Sequence, residues 1–143
     1  MFRTLARTHA PPATILIRIL VGAVFLSEGI QKFLFAEELG AGRFTRIGLP
    51  NPEVLGPMVG AVEVVCGSLV LAGLCTRLAA VPLLVIMSVA LATTKWPLLA
   101  ERGFWHMAHE ARTDLSMTLG SLYLLIVGAG RLSLDTWIWS SRR

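Results

Sequence analysis

Four stretches of this chain are long and apolar enough to cross a bilayer, and that decides what it can fold into. A spanning helix needs about 20 residues at 1.5 Å rise each. The candidate stretches are Ile15–Ala36, Val54–Leu74, Leu78–Lys95 and Leu115–Gly130, the last reaching back to Arg112 when its polar start is included. Lipid offers no hydrogen-bond partners, so isolated spans must satisfy their own backbones as helices. The sequence therefore predicts an all-α integral membrane protein: one domain over residues 1–143, an antiparallel up-down bundle of four transmembrane helices at 15–36, 54–74, 78–95 and 112–130. Outer loops are expected at 37–53 and 96–111.

Composition agrees. Charged residues make up 15% of the chain, where a soluble domain carries about 25%, and the mean hydropathy is +0.68. The first run is not a signal peptide: Arg18 interrupts it, no A-x-A site follows, and three further spans come after it. Pro11 and Pro12 precede that run, where prolines are tolerated. Cys66 and Cys75 lie nine residues apart, on opposite sides of any helix carrying both, and form no C-x-x-C. That argues against thiol–disulfide chemistry within the chain. The formal charge of +4 comes largely from arginines at the ends, without an aromatic-interleaved basic patch, so nucleic acid is not an expected partner. The bilayer is one expected partner; other membrane or redox subunits, or a second copy of the chain, are the others.

Four spans place both termini on one side, with Arg3, Arg7, Arg77, Arg131, Arg142 and Arg143. Arg43, Arg46, Lys95, Arg102 and Arg112 fall on the other. The positive-inside rule then favours cytoplasmic termini in a bacterial inner membrane.

The stretch Phe25–Phe35 reads FLSEGIQKFLF and places two charges inside an apolar span. At about 100° per residue, Arg18, Val21, Phe25, Glu28 and Lys32 share one arc of the first helix. Glu28 and Lys32 stand at the spacing that lets them pair. Glu63 in the second span should lie at a depth similar to Glu28. Arg112 and Asp114 open the fourth span on that same side, and His106, His109 and Glu110 precede them. Charges at such depth cost a few kcal/mol each, so they should face the interior and pair. The expectation is one polar cluster in the outer half of the bundle. It is either a pocket for a small molecule or proton, or an internal fastening that fixes helix register.

Gly56–Gly60 forms a G-x-x-x-G, and Gly60, Glu63 and Gly67 share a face, a packing signal that lets helices approach closely. His106, His109 and Glu110 are the only metal-like grouping. They lack the H-E-x-x-H pattern, so no metal is assigned and they stay weak candidates. Trp96, Trp105, Trp137 and Trp139 suit the headgroup level, and Tyr123 reads as a core residue.

An arginine early in the first helix is followed by F-L-x-x-G-x-x-K at Phe25–Lys32, a G-L-P-x-P loop at Gly48–Pro52, Glu63 and Gly67, a G-L-x-T-R-L hairpin at Gly73–Leu78 and a closing G-R-x-S-L-D at Gly130–Asp135. In this order and spacing the chain, over residues 13–136, resembles the DoxX family of small four-span bacterial membrane proteins. The resemblance implies a four-helix membrane bundle. It links the chain to relatives associated with thiosulfate:quinone oxidoreductase and with quinone or catechol stress. It carries over Arg18, Lys32, Glu63 and Arg77 as polar-site or structural residues; the H-x-x-H-E stretch is not part of the pattern. Arg18, Arg77, Gly60 and Gly67 are assigned structural roles.

The chain has no flavin, nicotinamide or iron–sulfur motif. The leading reading is a DoxX-like inner-membrane protein in a redox context, a small subunit or quinone-site component, with a bound quinone as the cofactor to look for. Glu28, Lys32 and Glu63 would bind its oxygens or relay protons, and Arg112, Asp114, His106 and His109 would line the outer mouth. The alternative is a non-catalytic membrane subunit that assembles or stabilises a larger complex. A small-solute or proton transporter is a third reading, weakened by the lack of an inverted repeat.

Overall fold

The computed structural model describes residues 11–140 and, among them, contains helices and no strand. The helices are α1 (Thr14–Leu34), α2 (Ala41–Arg46), α3 (Pro52–Ala72), α4 (Thr76–Ala90), α5 (Trp96–Arg102), α6 (Phe104–Val127) and α7 (Leu134–Ser140). A π-turn, Leu91–Lys95, joins α4 to α5, so that Thr76–Arg102 runs as one 27-residue helix. Arg3, Arg7, Arg142 and Arg143, and the side chain of Trp139, lie outside the described residues.

Three helices are long and apolar enough to cross a membrane: Thr14–Leu34, Pro52–Ala72 and Thr76–Arg102. Helix α6 is longer than either of the first two, at 24 residues, but its first half carries His106, His109, Glu110, Arg112 and Asp114. That polar half keeps it out of the same class. The expected loop at 96–111 is instead helical on both sides of Gly103, the single break, at φ 79°. Polarity there marks an exposed helix face rather than a loop, because Phe104, Trp105, His106, His109 and Glu110 all face outward. The loop at 37–53 likewise contains α2.

Local sequence explains the helix ends. Pro52 opens α3 at a position where its missing N–H costs nothing. Gly73 ends it in the left-handed region, its N–H bonded to Val70 O and the next N–H, of Leu74, to Leu69 O. Ser133 caps α7, its Oγ accepting from the Thr136 N–H at 3.2 Å.

Helices α1 and α3 make the most extensive helix–helix contact among the described residues, along a glycine seam. Gly22 lies against Gly67 and Leu71, and Gly29 against Gly60 and Val64, so residue numbers run in opposite order along the pair. A Cβ on Gly29 would sit 2.7 Å from Gly60 O, and one on Gly67 2.7 Å from Leu26 N. Only bare backbones can approach this closely. Helix α2 rests on the start of α3, where Gly56 leaves room for Ala41. A core of Val21, Phe25, Cys66, Val70, Ala79, Leu83, Met117 and Leu124 then ties α1 and α3 to α4 and α6. Tyr123 packs on it and shares a 3.1 Å hydrogen bond with Thr14. Leu16, Leu20, Phe33, Val65, Val85 and Ile126 point outward, as apolar side chains do on a lipid-facing surface.

Candidate functional site

Lys32 sits near the end of α1, and its side chain leans back along the helix, as long helical side chains do. Gly60 allows this: a Cβ there would stand 3.3 Å from Lys32 Cβ. Lys32 Nζ thereby lies 2.7 Å from Glu63 Oε2 and 3.7 Å from Glu28 Oε2. Lys32 and Glu63 are sealed in, at 8% and 3% side-chain exposure, whereas Glu28 is 44% exposed. The approach to Glu63 is close, but it falls outside hydrogen-bond angles, leaving that buried oxygen with a charge partner and no directed bond. Arg43, on α2, is near enough for its charge to act on Glu63 as well. The ion-paired group itself is Glu28, Lys32 and Glu63.

The expected single cluster divides into two ion-paired groups. Asp114 does not join Glu63; its Oδ2 pairs with Lys95 Nζ at 3.2 Å, between α6 and the π-turn. Arg112 is exposed and donates to His109 O at 2.9 Å, so it is not a partner of Glu63. His106, His109 and Glu110 lie exposed on the first turns of α6, and no group of three or more metal-ligating side chains occurs among the described residues. Sequence reasoning missed the short helix α2, because nothing in a loop's charge pattern shows where a short helix will dock. It placed Lys95 at the same end as Asp114 without pairing the two.

The remaining charges fasten helix ends. Arg18, 3% exposed, donates from Nε to Val70 O at 2.9 Å, from Nη1 to Ala129 O at 3.2 Å and to Leu132 O, and from Nη2 to Leu71 O. A cation on the orphan carbonyls of a helix C-terminus is favourable. Arg77 does the same for α6, donating to Ile126 O at 3.0 Å. The closing G-R-x-S-L-D docks on the G-L-x-T-R-L hairpin: Asp135 Oδ1 accepts from Cys75 N–H at 3.0 Å, and Asp135 N–H donates to Gly73 O. Gly73 must be bare, since a Cβ there would strike the Arg18 guanidinium at 2.6 Å.

Long apolar helices joined through buried ion pairs and outward-facing aliphatic side chains define a helical integral membrane protein. The chain belongs to the DoxX family, whose profile matches residues 13–96. An uncharacterized membrane protein of Mycobacterium tuberculosis is 55% identical over 137 residues, covering 92% of this chain and 84% of that one. CatD of Bacillus subtilis, described as a "putative oxidoreductase", is 28% identical over 132 residues, covering 91% of this chain and 90% of that one. No solved structure matches.

Proposed function

We propose that this chain is a small subunit or quinone-site component of the bacterial inner membrane. It works in a redox context, with four spans in up-down order and both termini in the cytoplasm. In this reading α6 is the fourth span, its exposed polar first turns lying at the headgroup level. The observation that carries the proposal is the Glu28–Lys32–Glu63 group. One carboxylate is sealed against the ammonium, while the other remains open on the inward face of a membrane-spanning helix. Ionisable groups at such depth default to function. The description of CatD as an oxidoreductase supports the redox context.

The residues fit a quinone. The open carboxylate and the ammonium behind it would hold its oxygens. The bound quinone would supply two-electron, two-proton chemistry, with a partner subunit as the other electron carrier. The residues of this chain bind the head, exclude water through the glycine seam and hold a proton at Glu28 or Glu63.

A second reading, a non-catalytic subunit that assembles a larger membrane complex, draws on Arg18 and Arg77. Both use their charge to fasten backbone carbonyls. A photoreactive quinone analogue discriminates. Labelling of residues 25–35 and 60–67 that unlabelled quinone competes away supports the quinone site. Labelling scattered over the lipid-facing residues, without competition, supports the assembly role.

A further inference from the structure

Glu28 does not stand alone on the open side of α1. At about 100° per residue, Gln31 lies about 60° around the helix from Glu28 and about 160° from Gly29, so it points away from the seam with α3. Residues at i and i+3, as Glu28 and Gln31 are, carry Cβ atoms about 5–6 Å apart. Ser27 lies one turn behind Gln31, and Gln31 Nε2 donates to Ser27 Oγ at 2.9 Å. Ser27 is exposed and Gln31 half-buried, beside a Glu28 side chain that is 44% exposed. The pair sits within the span: Ser27 is about 10 Å and Gln31 about 5 Å from its Leu34 end.

Polar side chains on the open face of a span are costly, because lipid offers them no hydrogen-bond partner. Other exposed hydroxyls of this chain are satisfied locally. Ser88 Oγ donates to Leu84 O and Thr93 Oγ1 to Val89 O, each at 2.8 Å, the usual bond to the carbonyl four residues back. Ser27 makes no such bond. Its oxygen accepts from Gln31, and among the described residues its own proton has no acceptor. The Gln31 amide likewise keeps one N–H and its carbonyl oxygen unengaged. Helix packing does not use the pair either. The seam with α3 lies on the far side, and Gly120 of α6 meets α1 at Val21 and Ile17, at least six residues deeper. The unmet donors and acceptor therefore stand beside the open carboxylate, on one helix face.

We propose that Gln31, held in place by Ser27, is a further ligand-binding residue of the quinone site, donating its free N–H to a ring carbonyl oxygen. This rests on the quinone-site reading above and extends that site along α1 from Glu28 and Lys32. An amide both donates and accepts. Gln31 thus holds the oxidised ring by its N–H and the reduced ring, whose oxygen is a hydroxyl, by its carbonyl oxygen. Ser27 is a positioning residue: it fixes the amide and leaves one N–H for the ligand.

The test is quinone binding to the purified, detergent-solubilised full chain. The probe is a short-chain alkyl benzoquinone with an isotope label at its carbonyl carbons. Equilibrium dialysis reads its affinity, and infrared difference spectra read its carbonyl stretch, which a hydrogen bond lowers. Gln31→Met keeps the length of the side chain and removes its donor. It should weaken binding about three- to tenfold, the scale of one hydrogen bond, and move the carbonyl band back toward its position in detergent alone. Ser27→Ala should do the same to a smaller extent. Ser88→Ala, which removes a self-satisfied hydroxyl from α4, should change neither reading. Wild-type affinity and an unmoved band in both Gln31→Met and Ser27→Ala overturn this proposal and leave the quinone site of Glu28, Lys32 and Glu63 standing. A wild-type dimer that Gln31→Met turns into a monomer, with affinity unchanged, also overturns it and assigns the pair to a helix–helix contact. A wild-type protein that binds no quinone overturns both readings.

Discussion

Lys32 Nζ lies 2.7 Å from Glu63 Oε2 and 3.7 Å from Glu28 Oε2, so one ammonium serves a sealed carboxylate and an open one. The two ends of the pair should not be equivalent. Lys32→Met leaves Glu63 buried without its close cation, a change that costs roughly 3–5 kcal/mol. Glu63→Leu leaves Lys32 with Glu28 and should cost clearly less. The double variant should be more stable than the sum of the two losses predicts. Unfolding of the four proteins in one detergent, followed by far-UV circular dichroism, measures this. Additive losses would mean that the pair is not coupled.

Arg18 is the fastening on which the inner end depends. Its guanidinium reaches carbonyls on α3 and on the segment after α6. Lysine keeps the charge but has no planar fork to span them. Arg18→Lys should therefore destabilise by about 2–3 kcal/mol, the range for lost hydrogen bonds to a charged group. A melting temperature unchanged from wild type would show that charge alone suffices.

The glycine seam predicts an asymmetry between two alanines. Gly29→Ala places a Cβ 2.7 Å from a backbone oxygen, which cannot rotate away. Gly60→Ala meets the Phe33 ring edge at 3.0 Å, Gly29 O at 3.2 Å and Lys32 Cβ at 3.3 Å, each contact looser by a few tenths of an ångström. Overpacking costs about 1–3 kcal/mol, and Gly29→Ala should fall at the upper end with Gly60→Ala below it. Equal shifts in thermal unfolding would contradict the seam geometry.

Cys75 reports topology. It is exposed at the hairpin between α3 and α4, while Cys66 is buried. In intact cells a membrane-impermeant maleimide should leave both unlabelled; after permeabilisation it should label Cys75 alone, because the proposed topology puts the hairpin on the cytoplasmic side with the termini. Labelling of Cys75 in intact cells would place that side outside.

Much of this arrangement can be read from the sequence because membrane helices obey few rules. The apolar runs fix α1, α3 and α4, and of the shared arc Arg18, Val21, Phe25 and Lys32 are buried as expected, whereas Glu28 stays 44% exposed. Glu63 and the flanking Gly60 and Gly67 likewise announce the buried face of α3. What the sequence obscured has physical causes. Trp96–Ala111 is polar enough to look like a loop, yet only Gly103 breaks the helix, since a helix at a membrane surface tolerates one wet face. A π-turn leaves no periodic trace, so the approach of Lys95 to Asp114 was hidden. The docking of α2 depends on the space that Gly56 leaves for Ala41 rather than on any motif.

The central claim is that the Glu28–Lys32–Glu63 group holds a quinone rather than only two helices. The most direct measurement is the amount of quinone extracted per mole of protein after gentle purification from native membranes, for wild type and for folded Glu63→Gln. The account predicts near-stoichiometric quinone with the wild type and its loss from the variant. A wild-type protein that carries no quinone above the level of its co-purifying lipid, or a variant that retains as much as wild type, would contradict it.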